Sequence, residues 1–256
     1  MSDEGLRELE RRWRQSGADE DGAAWFGARL RAGELSSCEL RLQASLGDSA
    51  ARLAYGRDPQ LDDAHASAAE EALARLRQAG GMLHHELWEP AGLEGAAGHE
   101  LVARATAAAF CHPGPGPSLA QDPSYAGEPI EVAAFYGERY DAVSHELRFY
   151  TPQGLLPAAE ADAVFADHVG SWGWTPLPGY AECFCSPPHG LSLRRAQVTR
   201  LFAEVNACLW GASGPREVYA WATPWRDTTS GGSYLWSVRP HAEDQAWVGV
   251  AYAADD

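Results

Sequence analysis

Between Leu6 and Phe110 apolar residues recur at spacings of three and four, the signature of helices with one buried face. Leu6, Leu9 and Trp13 share one face of a helix that Gly17 ends. Ala24, Trp25, Ala28 and Leu30 mark a second, closed by Gly33. Ser36 or Ser37 caps a third, which runs through Leu40, Leu42 and Leu46 to Gly47. Asp48 or Ser49 caps a short fourth, ending at Tyr55-Gly56. Asp58-Pro59 opens a longer helix through Leu61, Ala68, Ala72, Leu73 and Leu76, which Gly80-Gly81 stops. His99, Leu101, Val102, Ala105 and Ala109 predict a last helix over about 98–110. Short glycine-marked turns between these segments predict a stacked helical layer. No repeat period runs through them, so the layer is not read as a solenoid.

The pattern then breaks. Cys111 to Pro117 alternates three prolines with two glycines, and Pro123, Gly127 and Pro129 follow, a composition that stops helices and central strands. Beyond it the period changes. Strands are predicted over Ile130–Tyr136 and Glu146–Tyr150, a helix starting at Pro157, an extended stretch over Trp172–Cys185 and a helix over Ser192–Trp210. Three strands finish the chain: Glu217–Ala222, Tyr234–Val238 and Ala246–Ala253. Strands so closely connected pair antiparallel most easily. The expected class is therefore α+β. An all-helical domain covers residues 1–112, a Pro/Gly-rich linker 113–129, and an α+β domain with a mainly antiparallel sheet and two helices 130–256.

Composition narrows the chemistry. All 20 basic residues of the 256-residue chain are arginine. Without lysine there is no Schiff-base chemistry, no phosphate-binding P-loop lysine and no kinase-type strand lysine. Asn206 and Ile130 are the sole asparagine and isoleucine, as a GC-rich coding sequence would produce. The net charge of -16 argues against nucleic-acid or anionic-membrane partners and permits a cationic one. The acidic start, Met1-Ser2-Asp3-Glu4, lacks an apolar h-region, and the five scattered cysteines suggest no disulfide framework. A cytoplasmic protein with reduced thiols is the expectation.

Two stretches carry a resemblance. Leu9-Glu10-Arg11-Arg12-Trp13, Arg31-Ala32-Gly33-Glu34-Leu35 and Leu46-Gly47-Asp48-Ser49-Ala50-Ala51-Arg52 resemble a short all-helical module at the N-terminus of many bacterial proteins from GC-rich genomes. It covers about 50 residues and brings no catalytic residue, so it implies a helical scaffold. The ending Trp247-Val248-Gly249-Val250-Ala251-Tyr252 is similar in flavour to bacterial proteins some of which look like cytoplasmic immunity proteins that neutralise toxins.

Candidate chemistry is sparse. Cys183, Cys185 and His189 offer zinc-type donors, but C-x-C lacks the two intervening residues of a usual knuckle; buried cysteines in a strand is the simpler reading. The same thiols, with His189 or His168 as base, match no cysteine-hydrolase spacing. His84-His85-Glu86 and His145-Glu146 do not make a His-Glu-x-x-His pair, and Gly47-Asp48-Ser49 is not a nucleophile elbow. No cofactor motif is found.

Tryptophan is the anomaly. Of ten, seven lie beyond residue 170: Trp172, Trp174, Trp210, Trp221, Trp225, Trp236 and Trp247. They make either a Trp-rich core or an aromatic patch near the 223–232 loop. The candidate partner-binding residues are Trp221, Trp225, Arg226, Asp227, Tyr234, Trp236 and Trp247. Residues 113–256 carry 17 acids and only 8 arginines, so the binding surface is expected there. The leading expectation is a non-enzymatic acidic protein that covers a cationic toxin domain in the manner of an immunity or antitoxin protein. Alternatives are an enzyme with a non-standard site using Arg194, Arg195, Arg226 and the histidines, or a scaffold or ligand-binding part of a larger bacterial assembly.

Overall fold

The structure, a computed structural model, describes residues 3–45, 48–56, 68–89, 93–110, 127–151, 153–164, 179–185, 191–211, 213–223 and 232–253. It is α+β: ten helices and eight strands are found among the described residues. The chain packs as two compact units, residues 1–65 with 88–124, and residues 66–87 with 125–256.

The first unit is helical, as its sequence periodicity predicts. Helix α1 (Asp3–Ser16) ends where Gly17 turns left-handed at φ 63°; its N–H donates to the Trp13 carbonyl at 2.8 Å. Helix α2 (Asp19–Ala32) carries Asp19, Glu20 and Asp21 in its first turn and Arg29 and Arg31 in its last, both matched to the helix dipole. Ser36 caps α3 (Ser37–Ser45) with a reciprocal box: its hydroxyl accepts from Glu39 N–H at 3.1 Å, and the Glu39 carboxylate accepts from Ser36 N–H at 2.7 Å. Asp48 caps α4 (Ser49–Tyr55), accepting from Ala51 N–H at 2.8 Å. Ala23, Phe26, Leu35, Leu40, Ala50 and Ala51 form the core. A Cβ at Gly22 would lie 2.5 Å from that of Ala50 and 2.6 Å from Trp13 Nε1, so only glycine lets α2 come this close. Helix α6 (Gly95–Phe110) belongs to this unit and packs on α3.

The second unit is built on a five-stranded sheet in the order β1-β8-β7-β6-β2: β1 (His84–Trp88), β2 (Gly127–Ile130), β6 (Pro215–Trp221), β7 (Ser233–Pro240) and β8 (Trp247–Ala253). Strand pairs β2/β6, β6/β7 and β7/β8 are antiparallel. A smaller antiparallel sheet holds β3 (Tyr140–Asp141), β4 (Glu146–Thr151) and β5 (Gly154–Pro157). The helices are α5 (Ala68–Gln78), α7 (Val132–Tyr136), α8 (Ala158–Val164), α9 (Tyr180–Cys185) and α10 (Arg195–Trp210). Val218, Trp236, Val238, Val248, Val250 and Tyr252 from one sheet face join Phe135, Phe184, Phe202, Val205 and Trp210 in one core.

Several local expectations are corrected. The apolar run 130–136 is not a strand. It splits into edge strand β2 and helix α7, with Glu131 in extended backbone between them. Pro129 is tolerated because an edge strand has no partner for the missing N–H on its open side. Residues 180–185 form a helix rather than an extended segment; all six side chains are buried, so no amphipathic period marks it. The second unit therefore holds more helices than the two expected. Strand β1 falls inside the stretch read as helical. Helix α5 and residues 84–87 pack with the second unit, not with the helical N-terminus. Residues 113–126 of the expected linker lie outside the described residues. Among the described residues no helix is long and apolar enough to cross a membrane.

His85 on β1 is buried, with Nε2 3.1 Å from the Tyr180 hydroxyl. Burial, helped by neighbouring His84, lowers its pKa from 6.5 to about 3. The unfolded chain therefore takes up a proton below pH 6.5 that the folded chain refuses. Stability from this residue is complete above pH 6.5 and falls as pH drops toward 3, by about 1.4 kcal/mol per pH unit. Urea unfolding at pH 7 and pH 5 should show a loss that is smaller in His85→Leu; equal losses would rule this residue out.

Candidate functional site

Of the seven residues expected to bind a partner, the four among the described residues, Trp221, Tyr234, Trp236 and Trp247, do not share one exposed face. Ala220 faces Trp236 and Tyr219 faces Ser237 across β6/β7, so side-chain alternation puts Trp221 on one sheet face and Tyr234 and Trp236 on the other. Trp236 is 4% exposed and Trp247 2% exposed; both are core residues, and neither presents its indole to a partner. Trp236 meets Phe135 edge-on at 5.5 Å, and Tyr234 stacks on it at 5.0 Å. Arg239 lies over the Trp247 ring at 5.3 Å. Trp221 is half-buried: its ring covers Gly127, where a Cβ would sit 2.5 Å away, and Nε1 donates to Ser237 Oγ at 2.9 Å. Trp225, Arg226 and Asp227, like Trp172 and Trp174, lie outside the described residues.

Cys183 and Cys185 lie in helix α9, not in a strand, so their side chains are about 200° apart rather than on one face. Both thiols are fully buried, and burial raises their pKa, that of Cys185 to about 12. A thiolate ligand or nucleophile is disfavoured there. His189 is outside the described residues. Among the described residues no group of three or more His, Cys, Asp or Glu is arranged to hold a metal ion.

What the structure does assemble is a half-open cleft of about 260 Å³ in the second unit. Its walls are α7, the last turns of α10, the β3–β4 hairpin, and Gly211, Ser213, Gly214 and Pro215. The floor is Tyr136, Phe202, Asn206 and Trp210, all from the buried aromatic core or next to it. Ala133, Ala142, Ala203, Ala207, Gly211 and Gly214 leave the space open. Asn206 organises the floor. Its Oδ1 accepts from Tyr136 Oη–H at 3.0 Å and from Trp210 Nε1–H at 2.8 Å, and its Nδ2 donates to the Phe202 carbonyl at 2.7 Å. A satisfied network of this kind fixes rotamers and pre-organises a surface.

The mouth is set by the hairpin. Asp141 Oδ1 accepts from the N–H groups of Val143 at 2.8 Å and Ser144 at 3.2 Å, and its other oxygen pairs with Arg148. These bonds, that from Arg148 first, hold its pKa down to about 2. His145 then adopts φ 58°, left-handed for a non-glycine residue, which brings Nδ1 to 2.8 Å from the Tyr140 hydroxyl. Val143 stands at the tip, 92% exposed. Burial and neighbouring Asp141 raise the Tyr140 pKa, so the phenol keeps its proton, and its hydroxyl shares a hydrogen bond with His145 Nδ1. A nucleophilic tyrosine needs the opposite shift.

The cleft hangs on one buried ion pair. Arg139, between α7 and β3, donates from Nε to the Glu182 carboxylate on α9; both are essentially unexposed. At the same junction Gly179 would place a Cβ 2.6 Å from the Gly137 nitrogen and the Phe135 carbonyl. Arg139 lies in the short connection that joins Tyr136 to Tyr140, the two rings that stack in the cleft.

Comparison with family models, curated proteins and solved structures finds no match for the chain. The cleft was not foreseen in the sequence. In the sequence His145 stands beside Glu146 without metal-ligand spacing, and Asn206 is marked only by its rarity.

Removing one partner of the ion pair leaves a buried charge unmatched. Arg139→Met or Glu182→Leu alone should cost roughly 3–5 kcal/mol in chemical denaturation, and the double variant should recover most of it. Additive losses in the double variant would disprove the coupling.

Proposed function

We propose that the protein is a non-enzymatic, acidic, cytoplasmic binding protein of the immunity or antitoxin kind, which covers a basic protein domain with the α7/hairpin/α10 surface of its second unit. The observation that carries this reading is the exposed Val143 at the tip of a braced hairpin, beside an aromatic cleft whose floor groups satisfy one another. An exposed apolar side chain beside a recess floored by Tyr136 and Trp210 gives a partner both a contact point and a preformed pocket. The net charge of -16 favours encounter with a cationic partner. Tyr140 and His145 are the titratable pair that an enzymatic reading would use, and the raised tyrosine pKa counts against nucleophilic work.

The test is capture of the product of the neighbouring gene by the full-length chain, with protection of cells from that product. Val143→Asp should leave stability within about 0.5 kcal/mol, because the residue is exposed, while weakening capture at least about tenfold. Association should slow as ionic strength rises. Capture of nothing, or a Val143→Asp variant that binds as well as the parent, would sink the reading.

A further inference from the structure

We infer that the cleft at the C-terminal end of α10 receives one arginine side chain of the protein partner. The inference rests on the partner-binding reading and adds the chemical group that is recognised. The first argument is hydrogen-bond inventory. Tyr136 O–H and Trp210 N–H are both committed to Asn206, and one Asn206 N–H is committed to the Phe202 carbonyl. The Tyr140 hydroxyl is committed to His145. The floor is thus poor in free donors, while the Tyr136 oxygen and the ring faces still accept. A guanidinium carries five donors and no acceptor, which is the complement.

The second argument is electrostatic. The cleft is lined by Asn206, Ala207, Trp210 and Gly211, the final turn of a 16-residue helix that has no basic residue in that turn. A helix C-terminus carries about half a negative elementary charge and is stabilised by a cation. On the surrounding elements Arg139, Arg148 and Arg195 are neutralised by Glu182, Asp141 and Asp162. Glu131, Glu138 and Glu146 flank α7 and the hairpin, against Arg200 on α10 and Arg216 after the turn; these five have no ion pair among the described residues. None of these five lines the cleft, and no arginine does, so no like charge on its walls opposes a guanidinium. The third argument is shape. Ala203 and Ala207 provide an apolar wall for an arginine's methylene stem, and Tyr140, stacked on Tyr136 at 4.2 Å, provides an aromatic surface for its planar head.

The experiment is a two-dimensional NMR titration of the full-length chain with N-acetylarginine amide, against the neutral isostere N-acetylcitrulline amide. Saturable shifts are expected at the Trp210 indole N–H and at the Gly211 and Gly214 amides with the arginine probe and not with citrulline. Ala207→Leu, which fills the cleft from an exposed helix position, should weaken binding about tenfold or more. Equal shifts from the two probes, no shift from either, or shifts unaffected by Ala207→Leu would overturn the inference. A partner captured equally by Ala207→Leu and by the parent would also overturn it while leaving the binding reading intact. Failure to capture any partner would strike the reading alone, since the probe titration needs no partner.

Discussion

The second unit depends on a single charged contact in an apolar interior. Arg139 and Glu182 are both buried in a unit whose core is apolar and aromatic, where either charge alone would be strongly disfavoured. Their pairing holds together two short helices that have little intrinsic stability, five residues in α7 and six in α9. The contact also needs backbone proximity, which Gly179 permits. A mutual requirement of this sort favours one arrangement over sliding alternatives, since an ion pair has a direction that aliphatic packing lacks.

Around that pair Phe135, Tyr136, Tyr180, Phe184, Phe202, Trp210, Trp236 and Tyr252 belong to one continuous core. Phe135 stacks on Tyr180 at 5.0 Å and meets Trp210 at 5.8 Å; Phe184 meets Phe202 at 5.0 Å. The polar ends of buried rings are paired inside: Tyr180 with His85 and Trp210 with Asn206. Buried Trp and Tyr need such partners. The cleft is the place where this core reaches the surface, so its floor inherits the rigidity of the interior.

How much of this was legible depended on whether the signal was local. Helices α1 to α4 and α10 follow from spacing, caps and terminal glycines, all read within a few residues. The three C-terminal strands follow from alternation. Neither α7 nor α9 shows a period: α9 is buried at all six positions, and α7 is a single five-residue turn of apolar side chains with no polar face. The described members of the expected tryptophan patch divide between two sheet faces for a related reason. Alternation within a strand shows that Tyr234 and Trp236 share a face, but only the register between β6 and β7 shows that Trp221 does not share it. The cleft joins residues from 132 to 215, and nothing in their spacing announces that Tyr136 and Asn206 meet.

The order of elements along the chain bears on how the protein is made. Helix α5 packs against α10, with Arg75 paired to Glu204, and β1 pairs with β8 at the far end of the sequence. During synthesis α5 and β1 emerge more than a hundred residues before those partners. Their apolar sides, Ala72, Leu73, Leu76 and Leu83, must wait uncovered while the rest is translated. The acidic flank Glu70-Glu71 and the charged Arg75 and Arg77 on the same short helix are placed to keep that waiting segment in solution.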